Sequence, residues 1–232
     1  MIPKHMIHGF LLAIIGTLLF SLKSIFIKFL YKEGLDADTV LVLRMALSLP
    51  IYLCILFWLR SNTNITEKLN SKTVLTILAL GFFGYYLASL LDLMSLELIS
   101  AQLERLGLFT YPFMVAILGA LFFDEKITKR IIASLIITYL GLFVVMGQEL
   151  KLVGDGVIQG TMLVLASALC FACYVLFSKK HIRNLGSQLF TCIAMISSCI
   201  FGLLHGLVTV EVADVFVSEV AWFWLFMLVI LS

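Results

Sequence analysis

SAQLERLGLFTYPFMVAILGALFF, running from Ser100 to Phe123, is apolar over most of its length, yet Glu104 and Arg105 stand side by side near its start. A helix rises about 1.5 Å per residue and the hydrocarbon core of a bilayer is about 30 Å thick, so about 20 apolar residues suffice to cross it. The stretch has that length. A carboxylate and a guanidinium inside such a segment need a physical reason, because each charge left alone at mid-membrane costs about 2.5–3.5 kcal/mol.

The rest of the chain is built alike. It has 232 residues, 62% hydrophobic and 13% charged, where a soluble domain has about 45–50% and about 25%. The net charge of +2 and the dispersed basic residues exclude a nucleic-acid partner. Cys54, Cys170, Cys173, Cys192 and Cys199 all lie within apolar runs; they read as small packing residues rather than a disulfide or redox framework. The apolar N-terminal stretch outruns a signal-peptide core and has no small-residue cleavage motif after it, so it reads as a first span.

Spans are expected near 7–30, 39–59, 73–93, 99–123, 131–148, 157–178 and 188–210, with a partial eighth starting near Val217. The fold class is therefore all-α, a polytopic transmembrane helical bundle. With the N-terminus inside, cytoplasmic segments hold Lys4, Arg60, Lys68, Lys72, Lys126, Lys129, Arg130, Lys179, Lys180 and Arg183. The outer loops hold Lys28, Lys32 and Lys151, together with acids such as Glu33, Asp36, Asp38, Glu149, Asp155, Glu211, Asp214 and Glu219. The positive-inside rule thus predicts a multi-pass protein of the cell membrane with a cytoplasmic N-terminus.

An internal echo adds organisation. Gly9 onward (GFLLAIIGTLLFSLKSIFIKF) aligns on Gly160 onward (GTMLVLASALCFACYVLFSKK), placing Leu12 on Leu163, Leu18 on Leu169, Phe20 on Phe171, Phe26 on Phe177 and Lys28 on Lys179. Five spans separate the two starts, and an odd number inverts the second copy in the membrane. Residues 1–148 then form a first five-helix repeat and 149–232 an incomplete second one, lacking spans nine and ten.

Depth along the helices gathers the buried charges. Lys23 lies fourteen residues past Gly9, roughly 21 Å from the inner face of the core. Arg44 and the Glu104–Arg105 pair fall roughly 7–9 Å in from the outer face, with Asp92 closing the third span just above. Two readings stand: a polar interior layer, or long side chains snorkelling to the headgroups. In an interior layer Glu104 would suit Lys23 or Arg44 and Arg105 would suit Asp92. The layer carries three positive and two negative groups, a surplus that suits a carboxylate or phosphate on a ligand. Tyr85, Tyr111 and Tyr174 are candidate cavity residues: Tyr111 stands at i+7 from Glu104, and Tyr174 aligns on Lys23. Pro50 and Pro112 are expected to kink their helices, and Gly202–Gly206 signals close helix approach.

In LISAQLERLGLFTYPFMVAILGALFFDEKIT, the chain resembles the EamA family of the drug/metabolite transporter superfamily. The positions that carry this are Ser100, Ala101, Leu103, Glu104, Arg105, Leu106, Tyr111, Pro112, Glu125 and Lys126, with Arg44 and Asp92 also matching; Asp124 stands where glycine is usual. The resemblance implies ten spans in two inverted five-helix repeats around a central cavity open alternately to each side, and export of amino acids or other small metabolites. The expected function is secondary transport of a small organic solute, amino-acid-like or otherwise anionic or zwitterionic, with Glu104 as an electrostatic gate or proton-linked group. The alternative is a truncated, transport-inactive membrane fragment with a structural role. No enzyme is expected: HExxH, GxSxG and Walker A patterns are missing, and His5, His8, His181 and His205 assemble no metal motif. No cofactor or metal is expected, the partners are the solute and the bilayer, and a homodimer is left open.

Overall fold

The computed structural model describes residues 4–62, 70–152, 154, 156–211 and 217–231. Lys68, Asp155 and Asp214 lie outside these residues, as do the side chains of Lys4, His5, His8, Leu12 and Phe20. Along the described chain run α1 (Lys4–Lys32), α2 (Ala37–Asn62), α3 (Ser71–Gly81), a π-helical segment (Phe82–Leu87), α4 (Ala88–Leu98), α5 (Ala101–Leu108), α6 (Tyr111–Phe123), α7 (Lys129–Leu152), α8 (Gly156–Leu185), α9 (Ser187–Thr209) and α10 (Glu219–Leu231).

Six units among the described residues are long and apolar enough to cross a membrane: α2, α3 through α4, α5 with α6, α7, α8 and α9. The expected first span is the 29-residue α1, and the partial eighth is α10. Membrane solvent dictates helices here, because a backbone N–H or C=O left unbonded in hydrocarbon costs several kcal/mol, or about what burying a lone amide costs.

Prolines act differently than expected. Pro50 lies inside an uninterrupted α2. The fourth span instead breaks at Phe109–Thr110, and Pro112 sits in the first turn of α6, where its missing N–H would have had no partner anyway. The Thr110 hydroxyl donates to the Gly107 carbonyl at 2.7 Å and closes the end of α5. Asp124 ends α6 with φ 54°, a left-handed conformation that glycine takes freely and a short polar side chain tolerates.

Two tight antiparallel pairs make the centre. In the first, α2 runs against α9: the Cys192 thiol reaches the Tyr52 carbonyl, while Gly202 and Gly206 sit against Met45 and Val42 with no room for a Cβ. The GxxxG signal therefore marks a real close approach. In the second, α4 runs against α8, with the Ser167 hydroxyl donating to the Ala88 carbonyl at 2.7 Å. On the flanks, α1 packs on α10 through Phe26 and Phe29 against Trp224, and α6 runs parallel to α8, from Tyr111 on Phe171 to Phe122 and Phe123 on Phe177.

Candidate functional site

The answer to the Glu104–Arg105 question begins at the N-terminus of α5. Ser100 is its N-cap: the hydroxyl oxygen accepts from the Leu103 N–H at 3.1 Å, satisfying one of the free donors of the first turn. Glu149, from the end of α7, takes both the Ser100 N–H and its hydroxyl. A carboxylate at this place also suits the positive end of the helix dipole. The arrangement fixes where α5 starts, and thereby where Glu104 and Arg105 point.

All five members of the predicted layer are buried: Lys23 is 6% exposed, Arg44 4%, Asp92 2%, Glu104 0% and Arg105 9%. Snorkelling side chains would be exposed at their tips. The pairing differs from the expectation. The Lys23 ammonium bonds Asp92 Oδ2 at 2.9 Å, while Glu104 Oε2 accepts from the Ser24 hydroxyl at 2.6 Å. Arg105 Nε lies 3.3 Å from the same Glu104 oxygen. Helix geometry accounts for the exchange. Successive residues project about 100° apart, so Lys23 faces α4 while its neighbour Ser24 faces α5. The long guanidinium arm then folds back on the carboxylate beside it. Asp92 is also not at a helix end, since α4 continues to Leu98.

The Asp92 and Glu104 carboxyls lie within hydrogen-bonding reach of each other. Such a contact is a hydrogen bond when one of the two holds a proton and a repulsion when neither does. Two carboxyls, Lys23, Ser24 and Arg105 thus make one connected cluster drawn from α1, α4 and α5.

Beside the cluster opens a cavity of about 600 Å³ lined by Lys23, Arg44, Asp92, Tyr85 and Tyr111, among others. Glu104, Arg105 and Tyr174 are not among its lining residues. Glu104 stands behind the wall, one contact away through Asp92. The break at Phe109–Thr110 is the reason that Glu104 and Tyr111 do not share a face: the i+7 relation assumed one continuous helix. Tyr174 is held off the cavity by a bond between its hydroxyl and that of Tyr85, 3.0 Å apart, and its ring lies against Gly84, where a Cβ would collide with it.

Sequence reasoning missed several lining residues. Arg44, Ser48 and Tyr52 recur at i, i+4 and i+8 on α2, and Tyr85, Ser89 and Asp92 at i, i+4 and i+7 along the third span; all six line the cavity. Each is a polar stripe on an apolar helix, a legible signal of a wet face. The π-helical segment was not legible. It carries Gly84 and Tyr85 onto the cavity wall, a placement in keeping with the frequency of π-helical turns at functional sites.

Comparison with known proteins accords with this architecture. Residues 7–147 match the model of the EamA-like transporter family. The chain is also 27% identical over 178 residues to a protein of Bacillus subtilis (strain 168) named "Uncharacterized transporter YcbK", covering 77% of the chain and 56% of that relative. The chain spans little more than half the length of that relative. No solved structure matches. With its family model covering more than half of its residues, this multi-pass membrane protein belongs to the EamA-like transporter family.

Proposed function

We propose that the chain serves secondary transport of a small organic solute bearing an anionic group, amino-acid-like or otherwise zwitterionic or anionic, exported by alternating access. The observation that carries this reading is Arg44. Its guanidinium is buried on the wall of the cavity and makes no ion pair among the described residues, while the neighbouring lysine is neutralised by Asp92. A buried guanidinium facing an open volume is a ready partner for a carboxylate or phosphate, which it can hold with two parallel bonds. Tyrosines 85 and 111 and Phe171 supply an apolar wall for the remainder of the solute.

The inverted repeat has support in the packing. If spans one to three correspond to six to eight, then α2 and α9 are equivalents and pack on each other, and the pair α4 with α8 exchanges with the pair α10 with α1. That exchange is what a two-fold axis in the membrane plane produces. For a cytoplasmic N-terminus, the support is the concentration of Arg60, Lys72, Lys126, Lys129, Arg130, Lys179, Lys180 and Arg183 at one end of the bundle.

Glu104 is the proton-linked member in this reading, through its contact with Asp92. Efflux from proteoliposomes, screened with labelled amino acids and monocarboxylates, tests the whole. Arg44→Gln is expected to raise KM for the transported solute about tenfold or more, the loss of one charge-assisted contact. Glu104→Gln is expected to lower flux and flatten its pH profile. Unchanged KM and an unchanged pH profile would remove both roles. The competing reading, a transport-inactive membrane piece, has in its favour the 56% share of the Bacillus relative that the chain spans. It predicts no flux from this chain and flux from a longer gene product.

A further inference from the structure

A second groove, of about 420 Å³, lies at the basic end of the bundle between α3, α6 and α8, and shares no lining residue with the central cavity. Its walls are Ala79, Leu80, Phe83, Phe123, Leu176 and Phe177; its mouth carries Lys179, Lys180 and His181. Phe83, Phe123 and Phe177 are all exposed, so the groove opens sideways at a height where the surroundings are lipid. Along α3 the walls extend from Thr76 to Phe83, about 10 Å at the helical rise. A helix, about 10–12 Å across, could rest over such a groove but not enter it.

We propose that this groove holds one anionic phospholipid, its phosphate on Lys179 and Lys180 and the upper part of an acyl chain against Leu80, Phe83, Leu176 and Phe177. Charge complementarity commits the site to this occupant. An apolar slot alone would take any lipid tail, but two ammonium groups from successive residues at its mouth discriminate for a phosphate without a compensating choline. Glu125 lies 3.8 Å from Lys179, with both side chains more than half exposed. An exposed pair of that length is weak, and a phosphate reaching both lysines replaces it. The proposal is independent of the transport reading, since none of its residues touches the central cavity.

Native mass spectrometry of the purified full chain in detergent, with phosphatidylglycerol or phosphatidylcholine of identical acyl chains, tests it. The expected result is one phosphatidylglycerol retained per chain, roughly tenfold in preference to phosphatidylcholine. In a Lys179→Gln/Lys180→Gln chain that preference should fall to near parity. In Ala79→Trp, which fills the groove from an exposed position, adducts of both lipids should fall together. A thermal melt unchanged from the parent shows that each variant is folded. Equal retention of the two lipids by the parent overturns the proposal, as does a preference surviving the lysine replacements or adducts surviving Ala79→Trp. Displacement of the lipid by excess inorganic phosphate would reassign the mouth to free anions. A lipid-free dimer in the same spectra would give the groove to a second copy.

Discussion

Lys23 of α1 and Asp92 of α4 form an ion pair 2.9 Å long, with side chains only 8% and 3% exposed. Breaking one half of such a pair leaves a charge without compensation in a dry environment, which costs about 3–5 kcal/mol, whereas replacing both by apolar residues of similar volume is often neutral. Lys23→Met alone and Asp92→Asn alone should therefore each destabilise the chain by that amount, and Lys23→Met with Asp92→Leu should regain most of the loss. Unfolding in mixed micelles, analysed as a double-mutant cycle, measures the coupling. A coupling near zero would show that the pair is solvated and the cluster is not dry.

Close packing gives a second expectation. A Cβ on Gly81 would meet the backbone of Ala194, which cannot rotate away, whereas a Cβ on Gly141 in α7 meets nothing within 4 Å. Gly81→Ala should cost about 1–3 kcal/mol from overpacking. Gly141→Ala should be neutral or stabilise by up to about 1 kcal/mol through helix propensity. The same unfolding assay separates them, and equal effects would mean that α3 and α9 slide apart freely.

The extent of the helices was legible because hydrocarbon thickness is a ruler. The expected 39–59 became Ala37–Asn62 and 188–210 became Ser187–Thr209. Burial of Lys23, Arg44, Asp92, Glu104 and Arg105 was legible for the same reason: one-dimensional depth puts them at one height. Partner choice was not, since it depends on the rotation of each helix about its axis, which depth does not encode. That is why Lys23 went to Asp92 and Ser24 to Glu104. The break at Phe109–Thr110 and the π-helical turn at Phe82–Leu87 changed the angular phase of everything beyond them, so Tyr111 was assigned to the wrong face.

His205 shows how an isolated polar residue on an apolar helix finds partners at a distance. Its Nδ1 lies 2.7 Å from the Tyr86 hydroxyl and its Nε2 3.2 Å from Asp38 Oδ1, linking α9 to the π-helical segment and to the start of α2. Polar contacts between membrane helices are worth about 0.6 kcal/mol on average and about 1.7 at most. His205→Ala is expected to cost more than either Tyr86→Phe or Asp38→Asn, since it removes both contacts at once. Denaturation midpoints of the three variants give the order. If His205→Ala costs no more than Tyr86→Phe, the Asp38 contact contributes nothing.

Tyr85 and Tyr174 share one hydrogen bond but stand on opposite sides of it, and only Tyr85 lines the cavity. Removing either hydroxyl deletes the same bond, so Tyr85→Phe and Tyr174→Phe should lose similar stability, about 1 kcal/mol or less. Their effects on transport should part. Tyr85→Phe takes a hydroxyl from the wall that faces the solute and should raise KM. Tyr174→Phe frees the Tyr85 hydroxyl for the solute and should leave KM unchanged or lower it. Stability and flux measured on the same preparations therefore separate helix packing from solute contact. A matched rise in KM for both variants would place the tyrosine pair outside the binding wall, as a clamp between the third span and α8.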